Sequence, residues 1–199
     1  MTCIVAMTTK VGVYMGADSM ISGRGGAKWN VLNQKMLQAG YLLVGVAGST
    51  HFQTIMRAIA PDSWDTQKYT LEEYLSVVVL PSVRKMLDEC DGWEFNEGAK
   101  IGPNLLIAAS EELYEVTPWG GIEKSALPYY AIGSGREAAM GALEILCNHG
   151  PLSIYSTEFK IRLAIAAAIT VRADCGGPIV VIGPVAKIER NNLIRVKGT

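Results

Sequence analysis

The order of the apolar segments is what most restricts this chain. Short β-branched and apolar runs come in groups, and pairs of helical patterns separate the groups. Thr2–Thr8 and Val11–Asp18 read as two strands around a turn at Thr9-Lys10, close enough in sequence to form an antiparallel hairpin. The polar, glycine-bearing stretch Ser19–Ala27 reads as loop. Lys35–Gln38 and Tyr41–Ala47 read as two further strands around Ala39-Gly40. Two helices follow. In the first, Thr50 and Gln53 have capping-box spacing, and Phe52, Ile55, Met56 and Ile59 fall on one face. The second opens with Thr70 and Glu73 at the same spacing and runs toward Cys90, with a kink or break expected at Pro81.

Asp91–Asn104 is rich in Gly, Asn and charge and reads as a loop or irregular insertion. Leu105–Ser110 and Leu113–Thr117 then flank a turn at Glu111-Glu112, and Tyr129–Ile132 is a short strand ending in Gly133-Ser134-Gly135. A helix runs from there to about Asn148, and an alanine-rich one covers Thr157–Arg172. Strands at Ile179–Ile182 and Leu193–Val196 close the chain. Strands that cluster, instead of alternating singly with helices, argue against a doubly wound parallel sheet. They favour packed antiparallel sheets covered by helices, an α+β architecture. With 199 residues and no repeat or linker, one domain over 1–199 is expected.

Composition removes several function classes. Apolar residues make up 49% and charged residues 19%, so the chain is globular. A net charge of −1 and a basic run, Lys187–Arg190, broken by Ile188 and Glu189, give no footprint for nucleic acid. The four cysteines (Cys3, Cys90, Cys147, Cys175) form no C-x-x-C pair and no disulfide framework, which leaves a zinc cluster without ligands and a reducing compartment as the default. The first residues lack a signal-peptide pattern, and no apolar run approaches the roughly 18 residues that span a bilayer. A soluble, cytoplasmic protein with no membrane partner is the expectation.

A Ser-His-Asp triad needs a histidine base. The two histidines, His51 and His149, stand near a helix start and a helix end, as surface or capping residues do. There is no G-x-S-x-G elbow. Gly133-Ser134-Gly135-Arg136-Glu137-Ala138 fits G-x-G-x-x-A, but the following helix leads into another helix and not a parallel strand. A tight strand-to-helix turn fits this context better than a dinucleotide loop.

A hydroxyl nucleophile needs a base beside it. With so little histidine, the chain's own α-amine can serve, since its ordinary pKa of roughly 7.7–8.0 suits general base work. Thr2, directly after Met1, would carry hydroxyl and amine on one residue once Met1 is trimmed; a retained Met1 makes that nitrogen an amide, which is no base.

The company of Thr2 extends this reading. Thr2-Cys3-Ile4-Val5-Ala6 with Gly16-Ala17-Asp18-Ser19 resembles the start of mature proteasome β-subunits and of the HslV peptidase. Lys35-Met36, Leu43 to Thr50 with its Ala47-Gly48, Tyr130 to Gly135, and Arg172-Ala173-Asp174-Cys175-Gly176-Gly177 resemble further blocks of that family, in the right order over nearly the whole chain.

The resemblance to this N-terminal nucleophile (Ntn) hydrolase family implies a four-layer αββα sandwich, two antiparallel sheets between helices. It implies a threonine-type endopeptidase in which Thr2 attacks, its amine takes the proton, and Lys35, paired with Asp18, favours the neutral amine. Gly48 N–H would hold the oxyanion, and Ser134 and Asp174 would orient the amine and its water. No cofactor is needed for the chemistry. The backbone carbonyls of Ala173, Gly176 and Ile179 correspond to a structural Na+ or Mg2+ site.

Homo-oligomeric stacked rings of hexamers or heptamers, an ATP-dependent unfoldase and unfolded polypeptide substrates are implied as partners. Val46 hints at apolar cleavage preference. Gly177 departs from the serine that many proteasome β-subunits carry three residues after the aspartate. A non-catalytic ring or scaffold subunit of the same fold, and a small-molecule Ntn amidase, stay open beside the peptidase.

Overall fold

The computed structural model describes residues 2–22, 27–31, 35–59 and 64–186. β1 (Ile4–Thr9) and β2 (Gly12–Asp18) form the expected hairpin, with Ile4 opposite Ala17 and Thr9 opposite Gly12. The turn falls at Lys10-Val11, one residue later than the sequence suggests. β3 (Met20–Ser22) pairs with β4 (Lys28–Asn30), and β5 (Met36–Ala39) with β6 (Leu42–Ala47). Helix α1 (Thr50–Ile59) follows, then α2 (Leu71–Tyr74), a π-helical turn over Leu75–Val79 and α3 (Leu80–Glu89). β7 (Glu94–Asn96) and β8 (Ala99–Ile101) make a small hairpin. β9 (Asn104–Ala109), β10 (Glu112–Val116), β11 (Ile122–Lys124) and β12 (Tyr129–Ile132) lead to α4 (Arg136–Asn148). A 3-10 turn precedes α5 (Thr157–Val171), and β13 (Ile179–Val185) returns to the first sheet.

Two antiparallel sheets result, ordered β12-β1-β2-β13 and β11-β10-β9-β6-β5. Strand periodicity explains how they stack. Along β1, Ile4 and Ala6 face the second sheet together with Met15, Leu43, Leu106 and Ala108. Cys3, Val5 and Met7 face the other way, onto Ala139 and Leu143 of α4 and Ile161, Ala164, Ile165 and Ala168 of α5. Along β6, Leu42, Val44 and Val46 face α1 and α3 through Phe52, Met56, Val83 and Leu87. Both faces of each central strand are therefore dry, and these strands read as unbroken apolar runs because no face is left for polar residues. The layers are helix, sheet, sheet, helix: the αββα sandwich.

Local chemistry explains most boundaries. The Thr70 side chain accepts from Glu73 N–H (3.2 Å) while the Glu73 carboxylate accepts from Thr70 N–H (2.8 Å), a closed capping box. Pro81 does not stop the second helix. The strain is taken up one turn earlier, where Leu80 N–H donates to Leu75 O in the π-helical turn. The Thr50–Gln53 box does not form: Gln53 is buried and its Oε1 has no partner.

Two stretches read as loop, Ser19–Ala27 and Asp91–Asn104, contain β3 and the β7–β8 hairpin; residues 23–26 lie outside the described residues. Both hairpins are short, and β4 and β8 are largely exposed, so backbone pairing makes them with little help from an apolar pattern. β11, after Gly120-Gly121, was also not visible in the sequence. The strand expected at Leu193–Val196 and the basic run at Lys187 lie outside the described residues. Among the described residues no helix is long and apolar enough to cross a membrane.

Leu106, fully buried between the sheets, tests this stacking. Leu106→Ala is expected to lower unfolding stability by ~2–5 kcal/mol in urea denaturation, the range for buried leucine truncation.

Candidate active site

Thr2 enters β1 at the end of the sandwich and is 2% exposed. Its backbone is held from one side by the turn after β12. Gly135 N–H donates to Thr2 O at 3.2 Å. Ser134 Oγ accepts from Thr2 N–H and donates to Thr2 O, both at 3.3 Å. The turn comes this close because position 133 is glycine with φ +89°, where a Cβ would overlap the Thr2 carbonyl.

Asp18, at the end of β2, is buried beneath Thr2. Its Oδ1 accepts from Lys35 Nζ at 2.7 Å and from Cys3 N–H at 2.8 Å, and its Oδ2 accepts from Gly176 N–H at 3.0 Å. Asp18 is 1% exposed and Lys35 3%. Burying either charge alone would be costly; the ammonium and two amides offset that cost for the carboxylate. Lys35 and Thr2 border one cleft of about 390 Å³. Gly48, at the turn between β6 and α1, stands on its rim with Ser49 and Thr50, and Gln53 and Glu94 complete that side.

The structure thus brings Thr2, Asp18, Lys35, Gly48 and Ser134 to one place. Asp174 stands differently. Arg172 grips its carboxylate in a fork, Nε to Oδ1 at 3.1 Å and Nη2 to Oδ2 at 3.0 Å. This fork is the main cause holding the Asp174 carboxyl below its ordinary pKa, with a smaller contribution from the Ser134 hydroxyl. Asp174 is thus held chiefly by Arg172, near the Ser134 hydroxyl that holds Thr2. Val46 packs among the residues facing the helices, so its hint of an apolar preference finds no expression in the cleft wall. Gly177 has φ +78°, and a Cβ on it would run into the Asn30 carboxamide. A serine has no room there, which is the physical reason for this departure.

Sequence reasoning passed over two thiols. Cys3 lies beside Thr2 but on the helix-facing side of β1, and Cys175 Sγ is 3.7 Å from Ser134 Oγ. Burial pushes the Cys3 thiol far up, with neighbouring Cys175 and Asp18 acting the same way. Burial also raises the Cys175 thiol, against a lowering hydrogen bond from Ser134. Both stay protonated near neutrality and are poor nucleophiles, which leaves the hydroxyl of Thr2 as the candidate.

The carbonyls expected to hold a cation are already engaged. Ala173 O accepts from Lys28 Nζ, Gly176 O from Ser19 N–H (3.2 Å) and Met20 N–H (2.9 Å), and Ile179 O from Arg162 Nη1 at 2.9 Å. An ammonium and a guanidinium at two of the three carbonyls oppose a further cation by charge. The residues present do not fit a Na+ or Mg2+ site, and side-chain clusters able to hold a metal are absent among the described residues.

The sequence matches the family described as Proteasome subunit over residues 1–182. The chain belongs to the proteasome subunit family. Solved structures of the same fold include BPH of Thiobacillus denitrificans in complex with epoxomicin, at 22% identity and TM-score 0.73, covering 91% of this chain and 97% of that one. Anbu (ancestral beta-subunit) of Yersinia bercovieri matches at 19% identity and TM-score 0.65, covering 91% of this chain and 80% of that one. HslV of Trypanosoma brucei matches at 20% identity and TM-score 0.62, covering 91% and 98%. No curated protein matches the sequence.

Two outcomes follow from this geometry. Asp18→Asn leaves the Lys35 ammonium buried without its counter-charge and is expected to cost about 3–5 kcal/mol in urea denaturation, with Lys35→Met comparable. Because protein donors fill the three carbonyls, dialysis into a Na+-free buffer containing a chelator is expected to leave the melting temperature unchanged; a bound structural cation would lower it on removal.

Proposed function

We infer that this chain is a threonine endopeptidase subunit whose nucleophile is Thr2 Oγ, exposed as the N-terminal residue when the Met1–Thr2 bond is cut. One observation carries the reading: the nitrogen of Thr2 is held on Ser134 at the edge of a cleft, and buried Lys35, paired with Asp18 behind it, borders the same cleft.

With Met1 removed, the Thr2 nitrogen is an amine of ordinary pKa roughly 7.7–8.0. The Lys35 ammonium favours its neutral form. The amine, directly or through a water, takes the proton of Thr2 Oγ as Oγ bonds to the scissile carbonyl carbon. Gly48 N–H stabilises the oxyanion. The C–N bond breaks, the departing amine takes the proton, and the acyl group is left as an ester on Thr2. Water activated by the same amine hydrolyses the ester. Ser134, backed by Asp174, keeps the amine directed. These steps need no metal or other cofactor.

Unfolded polypeptide is the substrate class in this reading, cut inside homo-oligomeric rings, stacked hexamers or heptamers, fed by an ATP-dependent unfoldase. Exposed apolar side chains on and beside α5, Ile154, Tyr155, Phe159 and Leu163, supply surface that subunit contacts would cover. A cytoplasmic setting agrees with four free thiols, two of them buried.

Hydrolysis of a reduced, alkylated polypeptide is the test. Thr2→Ala is expected to lower the rate by at least about 10³-fold, and Thr2→Ser to retain part of it. The rate should rise with pH as the amine loses its proton, levelling above its pKa. Hydrolysis by Thr2→Ala at the wild-type rate would sink the assignment.

A further inference from the structure

Four buried side-chain atoms have no hydrogen-bond partner among the described residues: Ser22 Oγ, Ser49 Oγ, Gln53 Oε1 and Asn104 Oδ1. The first three belong to residues lining the cleft beside Thr2. A buried polar atom left unpaired costs on the order of 1–3 kcal/mol, and native proteins leave few of them. Three in one cleft mark a place where a ligand completes the hydrogen bonding. Gln53 is 4% exposed, and its side chain has given up the helix-capping position that its spacing offered.

The charge of that ligand follows from its surroundings. Hydroxyls donate or accept, and a carboxamide can present either end. Glu94, half-buried on β7, borders the same cleft and as a carboxylate only accepts. Among the described residues of the wall the cation is Lys35, and Asp18 neutralises it at 2.7 Å. Among the described residues the wall therefore carries one uncompensated negative charge and three unpaired polar side-chain atoms. Ile21 and the indole of Trp29 supply an apolar flank, suited to an alkyl stem and, at the ring face, to a cation. About 390 Å³ is within the usual range for binding a side chain and its neighbours. An apolar residue seated here would leave the three atoms unpaired and strip water from Glu94.

We propose that the cleft selects a basic side chain, arginine or lysine, on the acyl side of the bond cut, with Glu94 and Gln53 as the specificity-determining residues. A guanidinium brings five donors, enough to meet Glu94, Gln53 and both serines; an ammonium brings three, enough for Glu94 and two of the others. The proposal rests on the peptidase reading above. It assigns the β7–β8 hairpin a task, since that insertion is what carries Glu94 to the cleft.

The test uses the full chain and fluorogenic peptides identical except for the residue before the leaving group: Arg, Lys, Gln, Leu or Glu. Wild type is expected to favour Arg and Lys over Leu by about tenfold or more in kcat/KM. Glu94→Gln should lower the Arg-to-Leu ratio by about tenfold, and Glu94→Lys should raise Glu above Arg. A wild-type preference for Leu, or a Glu94→Gln variant that lowers all five peptides in proportion, overturns this inference and leaves the peptidase standing. Peptides cleaved equally by wild type and Thr2→Ala, or by neither, overturn both.

Discussion

The Asp18 carboxylate is the point on which the rest of the site depends. One buried anion accepts from the start of β1, from the residue that opens β5 and from the turn between α5 and β13. These three segments are far apart in sequence, and each contributes to the surroundings of Thr2. The anion needs its donors because it is dry, and the Lys35 ammonium needs the anion for the same reason. Mutual dependence of this kind fixes geometry as well as energy. Thr2 then has little freedom: Asp18 holds the next residue from below, and the Gly133-Ser134-Gly135 turn holds its own backbone from the side.

Much of the framework was legible in the sequence, and the reason is periodicity. Ile4, Val5, Ala6 and Leu42 to Ala47 form unbroken apolar runs because each strand is covered on both faces. The Thr70–Glu73 box marked a helix start correctly because nothing else competes for either side chain. Where a side chain had another use, the same signal misled. Gln53 has the right spacing to cap α1 and instead lines the cleft. β3–β4 and β7–β8 carried no pattern, being exposed pairings made by backbone alone. Pro81 predicted a break, yet the chain absorbed it in a π-helical turn.

The site was legible in part for a related reason. Thr2, Asp18, Lys35 and Ser134 are side chains with distinct chemistry, and the structure brings them together. What acts through backbone or shape leaves no trace in a sequence. The carbonyls of Ala173, Gly176 and Ile179 correspond by resemblance to a cation site, but only the fold shows Lys28, Ser19, Met20 and Arg162 already donating to them. Gly177 looked like the loss of a serine; in the structure the space a side chain would need holds Asn30. Asp174 belongs to its neighbour Arg172, a pairing that reach and turn geometry decide.

All that is proposed for the site stands on Thr2 being an N-terminal nucleophile, and a peptide epoxyketone such as epoxomicin, whose ketone and epoxide can take the hydroxyl and the amine of one residue, is the probe. Purified protein treated with epoxomicin, then digested and sequenced by tandem mass spectrometry, reads both requirements at once. The account predicts an N-terminal peptide beginning at Thr2, without Met1, and carrying the adduct on that residue. A peptide that retains Met1 and carries no adduct would contradict it.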